Sequence, residues 1–301
     1  MEAEHSSGTI VSFPFQEHKI DAFFYHLVTQ RDHVEQKPVI LRLHGILGNL
    51  LDETEHFLPG MLASAGYSSL TMNTLLANLG LFFGFGVFDD AMAQIDAGCQ
   101  FLRQLGFKKI IIAGHGLGGC MAIRYGALAN DSATHADIMG IIAVATPYSM
   151  PGTIRRRWEQ FGSEPSYDEV YRRAQQLFQP PGEDRATHDE IVVVKRAHGH
   201  TAHPEHTDIY TLKTWWALAG PEAVGAETYK HIGQIRLPLL LVHGAQDDVI
   251  DRSEFAALCS LVSQSGNPAV TPLELAANHT FDGKHQELGR AIISWLRERG
   301  D

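Results

Sequence analysis

The run Gly114-His115-Gly116-Leu117-Gly118-Gly119 constrains this chain more than any other segment. Before it stands Lys108-Lys109-Ile110-Ile111-Ile112-Ala113, a short apolar β-branched stretch that reads as a buried strand. After it, Cys120-Met121-Ala122-Ile123-Arg124-Tyr125 opens a helical pattern. A strand that turns into a helix within so few residues needs close backbone approach and a positive φ at its apex. Glycine supplies both because it has no Cβ. Strand, sharp turn, helix points to an α/β domain.

The rest of the chain agrees with that reading. Strand-like runs at Thr9 to Phe15 and Asp21 to Val28 precede Pro38-Val39-Ile40-Leu41-Arg42-Leu43, which leads into His44-Gly45. Helical spacing follows from Glu55 to Ser64, then a strand at Tyr67 to Met72 and a helix from Phe88 to Leu105 that stops at Gly106. Ile138 to Ala145 reads as a further buried strand, and Pro238 to Val242 as the next. A helix from Ser253 to Ser263, a strand from Val270 to Leu275 and a helix from Lys284 to Arg299 complete the chain. Such alternation implies a mostly parallel sheet flanked by helices, with an antiparallel edge at its start. Thr146 to Arg236 is too long for one crossover, so the expected organisation is a core of residues 1–145 and 237–301 with an inserted cap at 146–236.

A net charge of −11 disfavours nonspecific attraction to nucleic acid or to an anionic membrane. No apolar run approaches the roughly 18 residues of a membrane span, and Met1-Glu2-Ala3-Glu4-His5 lacks the features of a signal peptide, so a cytoplasmic protein is expected. Cys99, Cys120 and Cys259 are widely spaced within apolar helical patterns. They read as buried free thiols rather than disulfide partners or metal ligands.

The glycine run matches the nucleophile-elbow pattern G-x-S-x-G with Gly116 at the serine position, and the chain resembles the α/β-hydrolase superfamily, of the serine esterase and lipase type, over nearly its full length. The resemblance implies an acid in the loop His243-Gly244-Ala245-Gln246-Asp247-Asp248, where family spacing selects Asp247 over Asp248, and a base in Ala277-Asn278-His279-Thr280-Phe281, namely His279. It also implies two backbone oxyanion donors. One is Leu117, after the apex, and the other is Ile46, in the loop His44-Gly45-Ile46-Leu47-Gly48-Asn49. His44, His115, Trp215 and Trp216 are expected at the substrate, with the paired tryptophans lining an acyl pocket or packing the cap onto the core. The expected ligand is a small acyl or carbonyl compound, with no cofactor and no metal.

Serine acylation is chemically impossible with glycine at 116. Three readings follow: a hydrolase in which His279 activates a water directly, an otherwise ordinary serine hydrolase inactivated at this position, or a non-catalytic receptor. A histidine general base would also suit lyase, isomerase or cyclase chemistry. Cys120 lies one helical turn beyond the apex and reads as core. His285 reads as a solvated or capping residue. The arginines of Arg155-Arg156-Arg157-Trp158 read as solvated, with orientation of a ligand carboxylate or phosphate as the weaker reading. His198-Gly199-His200-Thr201-Ala202-His203-Pro204-Glu205-His206 reads as a lid loop, since its Gly and Pro and its spacing do not suit a zinc site.

Overall fold

A computed structural model describes residues 6–27, 37–51, 53–78, 86–130, 135, 137–178, 190–196 and 207–300. The histidine-rich tract His198 to His206 lies outside them. Eight strands form one sheet: β1 (Ser6–Phe15), β2 (His18–Leu27), β3 (Val39–Leu43), β4 (Ser69–Met72), β5 (Ile110–His115), β6 (Ile138–Val144), β9 (Leu239–Gly244) and β10 (Val270–Leu275). Their spatial order is β1-β2-β4-β3-β5-β6-β9-β10. β1 pairs antiparallel with β2 and β2 with β4, whereas every later pair is parallel. The mostly parallel α/β-hydrolase sheet with an antiparallel edge is the architecture expected from the sequence.

The β-branched runs are buried on both faces because helices cover both. Leu41, Ile112 and Ile141 pack with α2 (Asp90–Gln104), α3 (Leu117–Ala129) and α8 (Arg252–Gln264). Their strand neighbours Ile40, Ile111 and Ile142 point the other way, against α1 (Glu53–Ser64) and α9 (His285–Gly300). One residue of strand separates the two cores, as the alternation of side chains along a strand requires.

Between β6 and β9 the chain forms α4 (Met150–Gln160), α5 (Tyr167–Phe178), an antiparallel pair β7 (Ile191–Lys195) and β8 (Thr207–Thr211), α6 (Leu212–Ala219) and the short α7 (Thr228–His231). This inserted segment has an aromatic interior. Trp158 meets Tyr167 and Trp215 edge-on at 6.1 and 6.2 Å, and Tyr167 lies 5.1 Å from Trp215. Two of the three polar tips are satisfied: Trp158 Nε1 donates to the Pro165 carbonyl and the Tyr167 hydroxyl to that of Ala219, while Trp215 Nε1 has no hydrogen-bond partner among the described residues.

Candidate active site

The loops that follow β3, β5, β6, β9 and β10 meet at one end of the sheet, the end where open α/β sheets hold their ligands. At its centre β5 turns into α3 through Gly116, whose φ of 54° and ψ of −114° lie where side chains are strained. The flanking glycines are there for contact. A Cβ on Gly114 would stand 2.1 Å from the Gly118 carbonyl carbon, and one on Gly118 would stand 2.3 Å from the Leu43 oxygen. Gly116 itself is different: a Cβ there would find only His279 Nε2 within 4 Å, at 3.9 Å. The Gly116 N–H donates to the Val144 carbonyl at 2.9 Å, which ties the apex to β6.

Asp247 follows β9 and its side chain is completely buried. Its Oδ1 accepts the backbone N–H groups of Val249 and Ile250, both at 2.8 Å, and its Oδ2 accepts Nδ1–H of His279 at 2.9 Å. Burial alone would raise this carboxyl's pKa, but the hydrogen bond and charge of His279, with the two backbone donors, outweigh it and hold the group below its ordinary value. With its proton on Nδ1, His279 presents a bare Nε2 toward Gly116. Asp248 takes no part in this pairing.

His115 supports the arrangement from beneath. Its Nε2 lies 2.8 Å from the His279 carbonyl, an acceptor, so this nitrogen carries the proton, and its ring meets that of His279 at 4.7 Å. Burial, and then the neighbouring His279, depress its pKa to about 4, so it stays neutral. His243, behind Asp247 at 4.0 Å and stacked on Phe255, is likewise shifted down by burial.

These groups open onto a cavity of about 410 Å³, within the usual range for small-molecule sites. Gly45, Ile46, Gly116, Leu117 and His279 line its inner wall. Leu117 is the first residue of α3, where backbone N–H groups have no intrahelical partner. The strained non-glycine backbone of Leu47, Ala145 and Phe281, at φ of 52°, 46° and 58°, sits in the loops around this wall. The outer wall comes from the inserted segment and includes Ile154, Arg157, Trp158, Phe161, Arg196 and Tyr210.

Several expectations need correction. His44 does not line the cavity: it is fully buried, its Nδ1 donates to the Gly45 carbonyl at 2.8 Å, and its Nε2 accepts the Thr74 N–H at 3.2 Å. Desolvation drives it down to about 4, and it fixes the loop that carries Ile46 rather than touching a ligand. Trp215 is buried among aromatic rings, and Trp216 stacks on Tyr171 at 5.8 Å; neither reaches the cavity, where Trp158 lies instead. His285 opens α9 and is half-buried, with its ring stacked on Phe57 at 4.3 Å and its Nε2 3.0 Å from the Thr280 carbonyl. Cys259 is half-buried, whereas Cys99 and Cys120 are in the core. Burial pushes the Cys120 thiol up to about 12, which leaves no thiolate beside the elbow.

Fold and site geometry together define an α/β hydrolase, and comparison with known proteins narrows the class. The sequence model of the family described as "Serine aminopeptidase, S33" matches residues 80–268, which include the elbow and the Asp247 loop; the chain belongs to this family and is by family a hydrolase. No curated protein matches the chain. Among solved structures it is similar to Est1E from Butyrivibrio proteoclasticus, with a TM-score of 0.64 at 14% identity over 97% of this chain and 99% of that one. An esterase of Pyrococcus furiosus gives 0.66 at 16% identity over 98% and 92%. The esterase domain of a Rhodothermus marinus protein gives 0.61 at 17% over 98% and 100%. Identities this low establish the common fold.

Proposed function

We propose that this chain hydrolyses esters or related acyl compounds by direct attack of water, with Gly116 at the nucleophile position, His279 as general base and Asp247 as its orienting acid. The observation that carries the reading is the 3.9 Å between His279 Nε2 and the Cβ position of Gly116, which aims the base at the place a serine hydroxymethyl would fill. The family's name specifies a serine; this chain has glycine there. As water attacks the carbonyl carbon, Nε2 takes its proton, and the resulting oxyanion faces the N–H groups of Leu117 and Ile46. Collapse expels the alkoxide, which recovers the proton from His279 and leaves as the alcohol. Residues 146–236 serve as the cap that covers the acyl side.

The test is hydrolysis of an acyl ester panel by the native chain and three variants. His279→Ala should lower turnover by about 10²–10⁴. Gly116→Ala should lower it as well, because the methyl group occupies the place of the attacking water. Native hydrolysis that survives His279→Ala unchanged would refute the reading.

The same 3.9 Å contact supports a second reading, an ordinary serine hydrolase inactivated by glycine. On that reading the native chain is inert, and Gly116→Ser acquires both esterase activity and covalent labelling by a fluorophosphonate.

A further inference from the structure

The arginine run of α4 divides by environment. Arg155 pairs with Glu159 and Asp168, and Arg156 with Asp251 and Glu254, so two of the three guanidinium groups are neutralised away from the cavity. Arg157 is not. It lines the cavity, and among the described residues its side chain makes one hydrogen bond, of 3.2 Å to the Asp248 carbonyl, and has no carboxylate within 4.0 Å in an ion pair. Its guanidinium carbon rests 4.5 Å from the centre of the Phe161 ring, and that of Arg196 lies 5.2 Å from the same ring. Arg196 is held by Asp208. Among the described residues that line the cavity, the guanidinium groups of Arg157 and Arg196 therefore stand with the single carboxylate of Asp208, in a protein whose net charge is −11.

A guanidinium in such a place is costly unless something compensates it. Partial burial and then the neighbouring Arg196 shift Arg157 downward, and the carboxylates of Asp248 and Asp247 only partly offset them. The stacking on Phe161 holds the planar fork in place while its remaining N–H donors are available to an acceptor. Arginine in this setting is suited to bidentate recognition of a carboxylate.

We propose that the cavity takes a substrate with two functional ends, an acyl carbonyl placed against Gly116 and His279 and a carboxylate held by Arg157. This specificity rests on the reading of the cavity as the acyl site, and it makes the substrate class half-esters or similar acyl compounds carrying a free acid.

Equilibrium binding tests it without requiring turnover, so a failure here is distinct from a failure of the hydrolytic reading. The probes are levulinate and its longer methyl keto acid homologues, each paired with its neutral carboxamide; they carry the carbonyl and the acid but no scissile bond. Trp158 lines the cavity, so its fluorescence provides the signal. At low salt and near neutral pH the homologue that spans the cavity should bind about 10–100-fold more tightly than its carboxamide. Arg157→Gln should bring that ratio close to one, and Arg157→Lys should retain part of it. An acid-to-amide ratio near one in the native chain would overturn the proposal, as would a ratio preserved in Arg157→Gln or the absence of millimolar binding by every acid. If Arg157→Gln does not fold, Arg157→Lys decides: a reduced ratio supports the role of the planar fork, and an unchanged ratio overturns it.

Discussion

Gly116→Ala isolates the backbone strain of the elbow from its chemistry. The apex φ of 54° with ψ of −114° costs a residue with a Cβ roughly 1–3 kcal/mol. Alanine also restricts the unfolded chain, which returns about 0.4–1 kcal/mol. The new methyl meets only His279 Nε2, at an ordinary 3.9 Å, so no steric penalty is added. The net loss should be about 1–2 kcal/mol, a fall in Tm of roughly 2–3 °C for a chain of this size. Urea unfolding followed by far-UV circular dichroism measures it, with two controls. Gly106→Ala has φ of 96° and open space around its Cβ position, so it should lose stability through the backbone alone. Gly152→Ala lies inside α4, where a Cβ would make only ordinary contacts from 3.5 Å, and should be neutral or stabilising by up to about 1 kcal/mol. If Gly116→Ala proves as stable as the native chain while Gly106→Ala is weakened, the apex does not hold a strained φ and the account of this glycine is wrong.

Acid should weaken the fold through His44 and His115, whose folded pKa values lie near 4 against 6.5 when unfolded. The unfolded chain protonates first as pH falls, so their contribution is intact above the unfolded value and lost progressively toward the folded one. At pH 5 the loss is about 2 kcal/mol for each histidine, and urea midpoints between pH 7 and 5 should fall less steeply in His44→Gln. Asp247 acts in a lower range: its pKa is depressed in the fold, so its contribution is present above the ordinary carboxylate value and disappears as pH falls through the depressed one, a slope that Asp247→Asn should remove. Trp158→Ala removes a buried ring that stacks on Tyr210 and meets two other aromatics, so it should cost about 3–5 kcal/mol in urea unfolding. Gly118→Ala forces a Cβ to 2.3 Å from the Leu43 oxygen, and its yield of soluble folded protein should collapse relative to Gly116→Ala.

How much could be read from the chain depended on whether a residue's environment is local. The β5 run, its glycines and the first turn of α3 are contiguous, so the β-branched strand and the turn it must make are visible together. Asp247 and His279 are implied by the resemblance to α/β hydrolases, which places them after strands that are themselves readable, β9 and β10. The inserted segment resisted because its contacts are not periodic. Trp158 and Trp215 both lie on short helices, α4 and α6, yet the one with charged neighbours lines the cavity and the one with uncharged neighbours is buried beside Tyr167. The strands β7 and β8 are short, and they lie too far apart in sequence, ending at Lys195 and beginning at Thr207, to carry a two-residue hairpin signal. Arg157 differs from Arg155 and Arg156 largely through carboxylates distant in sequence, Asp168, Asp251 and Glu254, which the run Arg155-Arg156-Arg157 does not reveal.

The site keeps its shape without any side chain at 116, and the reason lies in where each component is anchored. Asp247 is fixed by backbone donors of its own loop, Nδ1 of His279 by Asp247, and the carbonyl of His279 by His115. The apex is tied through its own N–H to Val144, and the loop bearing Ile46 through His44 to Thr74. None of these bonds involves a group that serine would supply, so glycine removes a hydroxyl while leaving the scaffold untouched. In the proposed mechanism the chemistry is therefore set by the distance from Nε2 to the carbonyl that the cavity delivers. On the proposed direct attack, the part of the cavity lined by Arg157 matters to turnover as much as the elbow: without a nucleophile to capture the acyl group covalently, the substrate has to be held in place by its own contacts for as long as water takes to attack.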